Sequence, residues 1–215
     1  MKLIVISPEN EDPREIPALM AMMAAGLERY HLRKPGWSHE RLRKWIEQLP
    51  TRWRPHLVLH QHYALVDELG LGGRHWRDDG TALLDAPAAS AAPFEQHDEK
   101  RGFTSRACHG VEAVRRALGR YDAVLVGPVF SSISKNGYGP ATAMDLQSLY
   151  ALLRRRTLAQ RRTEVIALGG VTAANAPRCR DFGFDGVASL GAIWQAEDPV
   201  YAFTEIQSAI THHAF

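Results

Sequence analysis

Three serines and a lysine close the segment DAVLVGPVFSSISK, which runs from Asp122 to Lys135. Ala123–Gly127 is apolar strand material, the chain breaks at Gly127-Pro128, and Ser131, Ser132, Ser134 and Lys135 follow within a few positions. Hydroxyls donate hydrogen bonds and the ammonium adds charge, so this loop has the chemistry of an anion cradle. Two later segments have the same character. Ala167-Leu168-Gly169-Gly170-Val171-Thr172 ends an apolar run with paired glycines, and Ala188-Ser189-Leu190-Gly191 ends another. Glycine lets backbone N–H groups approach a ligand closely, and a helix opening just beyond favours negative charge. A second set of reactive side chains is histidine: His31, His60, His62, His75 and His109 fall at or near the ends of apolar runs. Imidazole is the side chain suited to moving protons near neutral pH.

Something must bring these residues together, and the chain's periodicity says what. Short apolar runs alternate with amphipathic stretches throughout. Strands are predicted at Lys2–Ile6, Tyr30–Arg33, His56–His60, Gly73–Trp76, Gly102–Ala107, Ala123–Gly127, Val165–Gly169 and Gly186–Leu190. Helices are predicted over Pro13–Glu28, from Ser38 as N-cap, His62–Leu69, Val111–Leu118, Ala143–Arg162, Ala173–Asp181 and Val200–His212. Residues 77–101, with an Asp78-Asp79-Gly80 turn and an Ala/Pro-rich stretch, are expected to form a loop that could act as a lid. Eight strand–helix units share 215 residues, about 27 each, the pattern of a single (β/α)8 TIM barrel domain over residues 1–215. An open doubly wound sheet is the lesser alternative, since no GxGxxG turn follows the first strand. In a barrel the loops after strands seven and eight form a recurring phosphate site, which is where Gly170, Leu190 and Gly191 fall.

Composition narrows the partners. With 26 basic and 24 acidic residues the net charge is +2, so no nucleic-acid footprint is expected. The arginines at 154–156 and 161–162 are read as a solvated helix face. Two cysteines do not make a disulfide framework, and no apolar run is long enough to span a bilayer, so a cytoplasmic protein without membrane contacts is expected. Cys108 should face opposite to its neighbour His109 and act as a core residue. Assembly into a homo-oligomer is left open.

The chain resembles the superfamily of thiamine phosphate synthases and TenI-type thiazole tautomerases. The resemblance runs from His31 to about Ile193 and rests on His31-Leu32-Arg33, LGLGGRH at Leu69–His75, CHGVEA at Cys108–Ala113, GPVFSSISK, ALGGV at Ala167–Val171 and DGVASLGAIW at Asp185–Trp194. It implies a phosphorylated thiazole as the small-molecule partner, its phosphate held by Ser132, Ser134, Lys135, Gly170 and the Leu190–Gly191 backbone. The other end of the site departs from the pattern. Where a synthase has Gln-Leu-Arg-Glu-Lys for the pyrimidine pyrophosphate, this chain has His31-Leu32-Arg33-Lys34-Pro35. An Asn-Asp pair after strand three is His60-Gln61, the second magnesium aspartate falls near Gly80, with Asp78 and Asp79 out of register, and the serine before the strand-five histidine is Ala107. Magnesium needs hard oxygen ligands.

These departures favour a TenI-like isomerase working without metal or other cofactor. In that reading His109 is the acid–base catalyst, Arg33 holds the substrate carboxylate, and His31, His60 and Gln61 complete the pocket. Two alternatives stand beside it. One is a thiamine phosphate synthase, a transferase using Mg2+ with altered ligands (His31, His60 and Lys34 in place of the usual residues). The other is a non-catalytic binder of thiazole or thiamine phosphates. A transition-metal site built from His31, His60 and His62 is set aside because no carboxylate or cysteine completes the set. His75 is read as a packed residue of its strand.

Overall fold

A computed structural model describes residues 1–78, 102–130 and 145–211. Eight parallel strands close into a barrel in chain order: β1 (Lys2–Ile6), β2 (Arg29–Leu32), β3 (Leu57–Leu59), β4 (Gly73–Trp76), β5 (Phe103–Cys108), β6 (Ala123–Val126), β7 (Glu164–Leu168) and β8 (Gly186–Ser189). The barrel shuts where β1 pairs with β8, Leu3 opposite Val187 and Val5 opposite Ser189. Every expected strand is present, with ends shifted by a residue or so.

Between the strands lie α1 (Glu15–Ala24), α2 (His39–Glu47), α3 (Ala64–Leu69), α4 (Val111–Ala117), α5 (Leu146–Arg154) and α6 (Ala176–Asp181), with α7 (Gly191–Trp194) and α8 (Pro199–Thr211) after β8. Ser38 caps α2 as expected, its hydroxyl accepting from the Arg41 N–H at 3.2 Å. The long helix expected over 143–162 is shorter. It ends at Arg154, and a separate 3-10 turn covers Gln160–Arg162. Arg156 is also not on a solvated face. Its guanidinium, two residues past the helix end, turns inward to the Asp185 carboxylate at 2.7 Å and is 7% exposed. The expected lid loop falls largely on residues 79–101, outside the described residues.

Period-two alternation sorts each strand's side chains between two cores. Leu3 and Val5 of β1, Tyr30 and Leu32 of β2, and Leu57 and Leu59 of β3 face outward and pack under the helices. Ile4 and Ile6 face the barrel axis, meeting Ala123 and Leu125 of β6, Ile166 of β7 and Ala188 of β8. The interior is therefore apolar on the β6–β7–β8–β1 side. The opposite side is different. There β2, β3, β4 and β5 bring His31, His60, His75 and Ser105 inward, all of them buried. A barrel with one aliphatic and one imidazole wall is an uneven core, and the polar wall must satisfy its own hydrogen bonds.

Candidate active site

Above this interior, at the C-terminal ends of the strands, lies a cavity of about 750 Å³, within the usual range for small-molecule sites. Its walls include Arg33 after β2, His60 after β3, His75 on β4, Asp78 after β4, His109 after β5, Gly127 after β6, Gly169 and Gly170 after β7, and Leu190 and Gly191 after β8. Barrel chemistry sits at this face because the strand–helix loops are free to vary while the strands hold them in place.

At the β7–β8 side, Gly169 and Gly170 have φ of 94° and 65°, the left-handed region that glycine enters without a Cβ penalty. A Cβ on Gly169 would lie 2.8 Å from Pro128 Cα, so the turn is also packed too tightly for any side chain. The helix expected at Ala173 opens only at Ala176. Before it, the Asn175 side chain accepts from the Thr172 N–H at 2.9 Å and donates to the Gly170 carbonyl at 2.8 Å. Ser132, Ser134 and Lys135 lie outside the described residues.

At the β2–β5 side the sequence-selected residues separate. Arg33 reaches the cavity and pairs with Glu9, while Ser7 Oγ accepts from its backbone N–H at 2.8 Å and donates to its carbonyl at 2.9 Å. Lys34 points the other way. Its ammonium is fully buried and donates to Glu15 Oε2 at 2.5 Å and to the Pro8 and Asn10 carbonyls at 2.8 and 3.1 Å. The Tyr30 hydroxyl donates to the other Glu15 oxygen at 2.7 Å. Gln61 donates its amide to the Lys34 carbonyl at 2.6 Å. Both hold the loop rather than line the cavity.

The histidines form a cluster whose third member differs from the one considered from sequence. His62 sits at φ 54° and sends Nε2 to the Trp37 carbonyl at 2.7 Å, away from the barrel axis. His75 takes that place. Its ring stacks on His60 with centroids 4.1 Å apart, and His31 meets both rings edge-on. His31 Nδ1 and His60 Nε2 share a hydrogen bond at 3.1 Å, and His75 Nδ1 is 2.8 Å from Ser105 Oγ. Among the described residues His31 Nε2 has no hydrogen-bond partner, although the residue is 0% exposed. Burial, reinforced by the neighbouring rings and arginines, holds the His31 and His60 imidazoles well below their ordinary pKa and His75 at about 3. All three are neutral at physiological pH. Inward alternation on β4 is the sequence signal that marks His75, since it shares a face with Gly73 and lies two positions before Arg77.

His109 stands at the cavity rim. Its backbone N–H donates to Asp78 Oδ2 at 3.1 Å, and its Nδ1 is 3.0 Å from the Gly127 carbonyl. A carbonyl can only accept, so Nδ1 carries the proton and the neutral ring has its lone pair on Nε2. Cys108 faces the outer core as expected, and burial pushes its thiol up to about 12.

Comparison with known proteins fits this barrel and cavity. The family model described as thiamine monophosphate synthase matches residues 3–193. The chain belongs to that family. Among curated family members, the thiamine-phosphate synthase of Methanocella arvoryzae is 34% identical over 122 residues, 56% of this chain and 54% of the relative. That of Listeria innocua is 26% identical over 71% of this chain and 65% of its own length. The chain thus spans between about half and two thirds of the curated relatives it matches. Among solved family structures, a thiamine phosphate pyrophosphorylase from Bacteroides thetaiotaomicron superposes over 99% of this chain and 100% of its own, with TM-score 0.72 and 26% identity. One from Pyrococcus furiosus covers 97% and 95%, with TM-score 0.73 and 17% identity, and shares the fold.

These relatives are synthases and pyrophosphorylases by name, and they overturn the expectation of a TenI-like thiazole tautomerase, an isomerase with His109 as its acid–base catalyst. The physical reason lies in what the departures at His31, Lys34, His60 and Gln61 amount to. Lys34 and Gln61 are loop-building contacts and His31 is a core residue, so their identities do not of themselves build proton-transfer machinery. The magnesium implied by the family does not fit the residues at the ends of β3 and β4, where the resemblance places its carboxylates. Asp78, the carboxylate on the β4 side of the cavity, accepts from His109 and lies 3.9 Å from the Arg106 guanidinium, and the β3 end presents imidazole instead of oxygen.

Proposed function

We propose that the protein is a transferase of the thiamine-phosphate synthase kind, joining a pyrimidine pyrophosphate to a phosphorylated thiazole. In that reaction a bond from the pyrimidine's carbon to the thiazole ring nitrogen forms, the carbon–oxygen bond to pyrophosphate breaks, and pyrophosphate leaves with the electron pair. The likeness over 99% of this chain to the Bacteroides thetaiotaomicron pyrophosphorylase carries the reading. The site supports it: one cavity joins a glycine-rich wall suited to a phosphate monoester with a wall bearing Arg33.

In this assignment Gly170, Leu190 and Gly191, with Ser132, Ser134 and Lys135, take the thiazole phosphate. Arg33 offers a forked donor to the pyrophosphate. His60 and His109 border the space between the two, His109 presenting Nε2 as an acceptor. No step is routed through magnesium. The test is direct: both substrates are incubated with the full chain, and thiamine phosphate and pyrophosphate are measured. Equal amounts of the two products are expected, and neither product accumulating with folded protein would overturn the assignment.

A further inference from the structure

We propose that His31, His60 and His75 bind one divalent transition metal of the zinc, cobalt(II) or iron(II) class on the floor of the cavity, with an open coordination position facing the substrate space. Each residue offers one ring nitrogen, and the three nitrogens lie within 4.8 Å of one another. Four-coordinate bonds of about 2.05 Å impose nitrogen–nitrogen separations of roughly 3.4 Å, so modest ring rotations close the set. Imidazole suits zinc, iron, cobalt and nickel and is a poor ligand for magnesium.

Three further observations point the same way. The residues sit on or directly after the adjacent strands β2, β3 and β4, so the ligand set is held by the barrel rather than by a loop. His31 Nε2 is a buried polar atom with no partner among the described residues, and such an atom in a native core calls for an occupant. Ser105 Oγ lies 2.8 Å from His75 Nδ1 and can accept from it, and in that tautomer Nε2 carries the lone pair and the ring has the outer-shell hydrogen bond that orients a metal-bound histidine. Because His60 and His75 line the cavity, a fourth position remains for water or an anionic oxygen. That this oxygen belongs to a substrate phosphate rests on the transferase reading; the metal site does not.

The experiment uses the full chain, stripped with a chelator and then refilled with Zn2+ or Co2+. About one equivalent of zinc per chain should survive dialysis, and Co2+ should give the intense visible absorption of a four- or five-coordinate ion. His60→Ala and His75→Gln should each weaken binding by roughly tenfold or more. A His212→Ala/His213→Ala double variant, which removes the paired histidines near the C-terminus, should bind as the parent does. If either cluster variant fails to fold, the other variant and the parent's cobalt spectrum decide. Less than about 0.1 equivalent in the parent, or binding lost only with His212 and His213, overturns the proposal. Metal content is read without substrate, so the outcomes separate. Product formation by a chain that takes up no metal sinks the metal site alone, and tight metal binding without product sinks the transferase reading alone.

Discussion

The imidazoles of His60 and His75 stack with centroids 4.1 Å apart and planes 28° from parallel. The contact joins the ends of two neighbouring strands and covers one face of each ring, while the His60 edge also serves His31. In metal-free protein, His60→Ala strands His31 Nδ1 beside the already unpartnered Nε2. A loss of about 1–3 kcal/mol is expected for the stranded nitrogen, read as a lower denaturant midpoint at unchanged slope.

Lys34 and Glu15 test whether that lysine serves the pocket or the fold. Both are buried, and their pair is completed by Tyr30 and two backbone carbonyls. Lys34→Ala leaves a buried carboxylate without its partner and should cost about 3–5 kcal/mol in stability. Glu15→Gln with Lys34→Met should recover much of that loss. Below its melting range the double variant should keep the parent's KM for the pyrimidine pyrophosphate of the proposed reaction. A rise of tenfold or more in that KM would place Lys34 in the site after all.

Gly169 and Gly36 both have positive φ, 94° and 81°, but different surroundings. A Cβ on Gly36 meets nothing within 4 Å, whereas one on Gly169 would lie 2.8 Å from both Pro128 Cα and Cβ. Gly36→Ala should cost about 1 kcal/mol through backbone strain alone. Gly169→Ala adds the clash and should cost a further 1–3 kcal/mol or so, while displacing the cavity wall. Thermal melts of the two variants side by side give the difference.

Cys108 and Cys179 are both buried, and burial raises each thiol to about 12. At pH 8 only about one chain in ten thousand carries a native thiolate at either position. Iodoacetamide should therefore leave the folded protein unmodified on the timescale that labels a free thiol. Both cysteines should react once guanidinium unfolds the chain, as read by intact mass. The slow native rate should rise about tenfold per pH unit for as long as the fold persists, because the thiolate fraction does.

Much of this molecule is legible before any coordinates. Gly73–Trp76 appears where the periodicity puts it, Ser38 caps its helix, and the paired glycines after β7 stand at positive φ on a cavity wall. Cys108 and His109 take opposite faces because side-chain direction in a strand alternates strictly. The extent of α5 was less legible. Arg156 reads as a surface residue until Asp185, far along the chain, draws it inward.

The amino-acid order determined the eight-fold alternation, the outward and inward face of each strand, and the glycine-rich cavity wall after β7, because these depend on local periodicity and backbone freedom. The tertiary structure decided which histidines meet. His62 lies two residues from His60 yet turns out to the Trp37 carbonyl, because β3 ends at Leu59 and the alternation rule lapses there. His75 joins His31 and His60 from a neighbouring strand because barrel closure sets β4 beside β3 at matching height, Leu59 opposite Arg74. The same folding sent Lys34 into a buried pair with Glu15 and left Arg33 at the cavity. Register between strands is a long-range property fixed by packing, and no spacing within a single segment contains it.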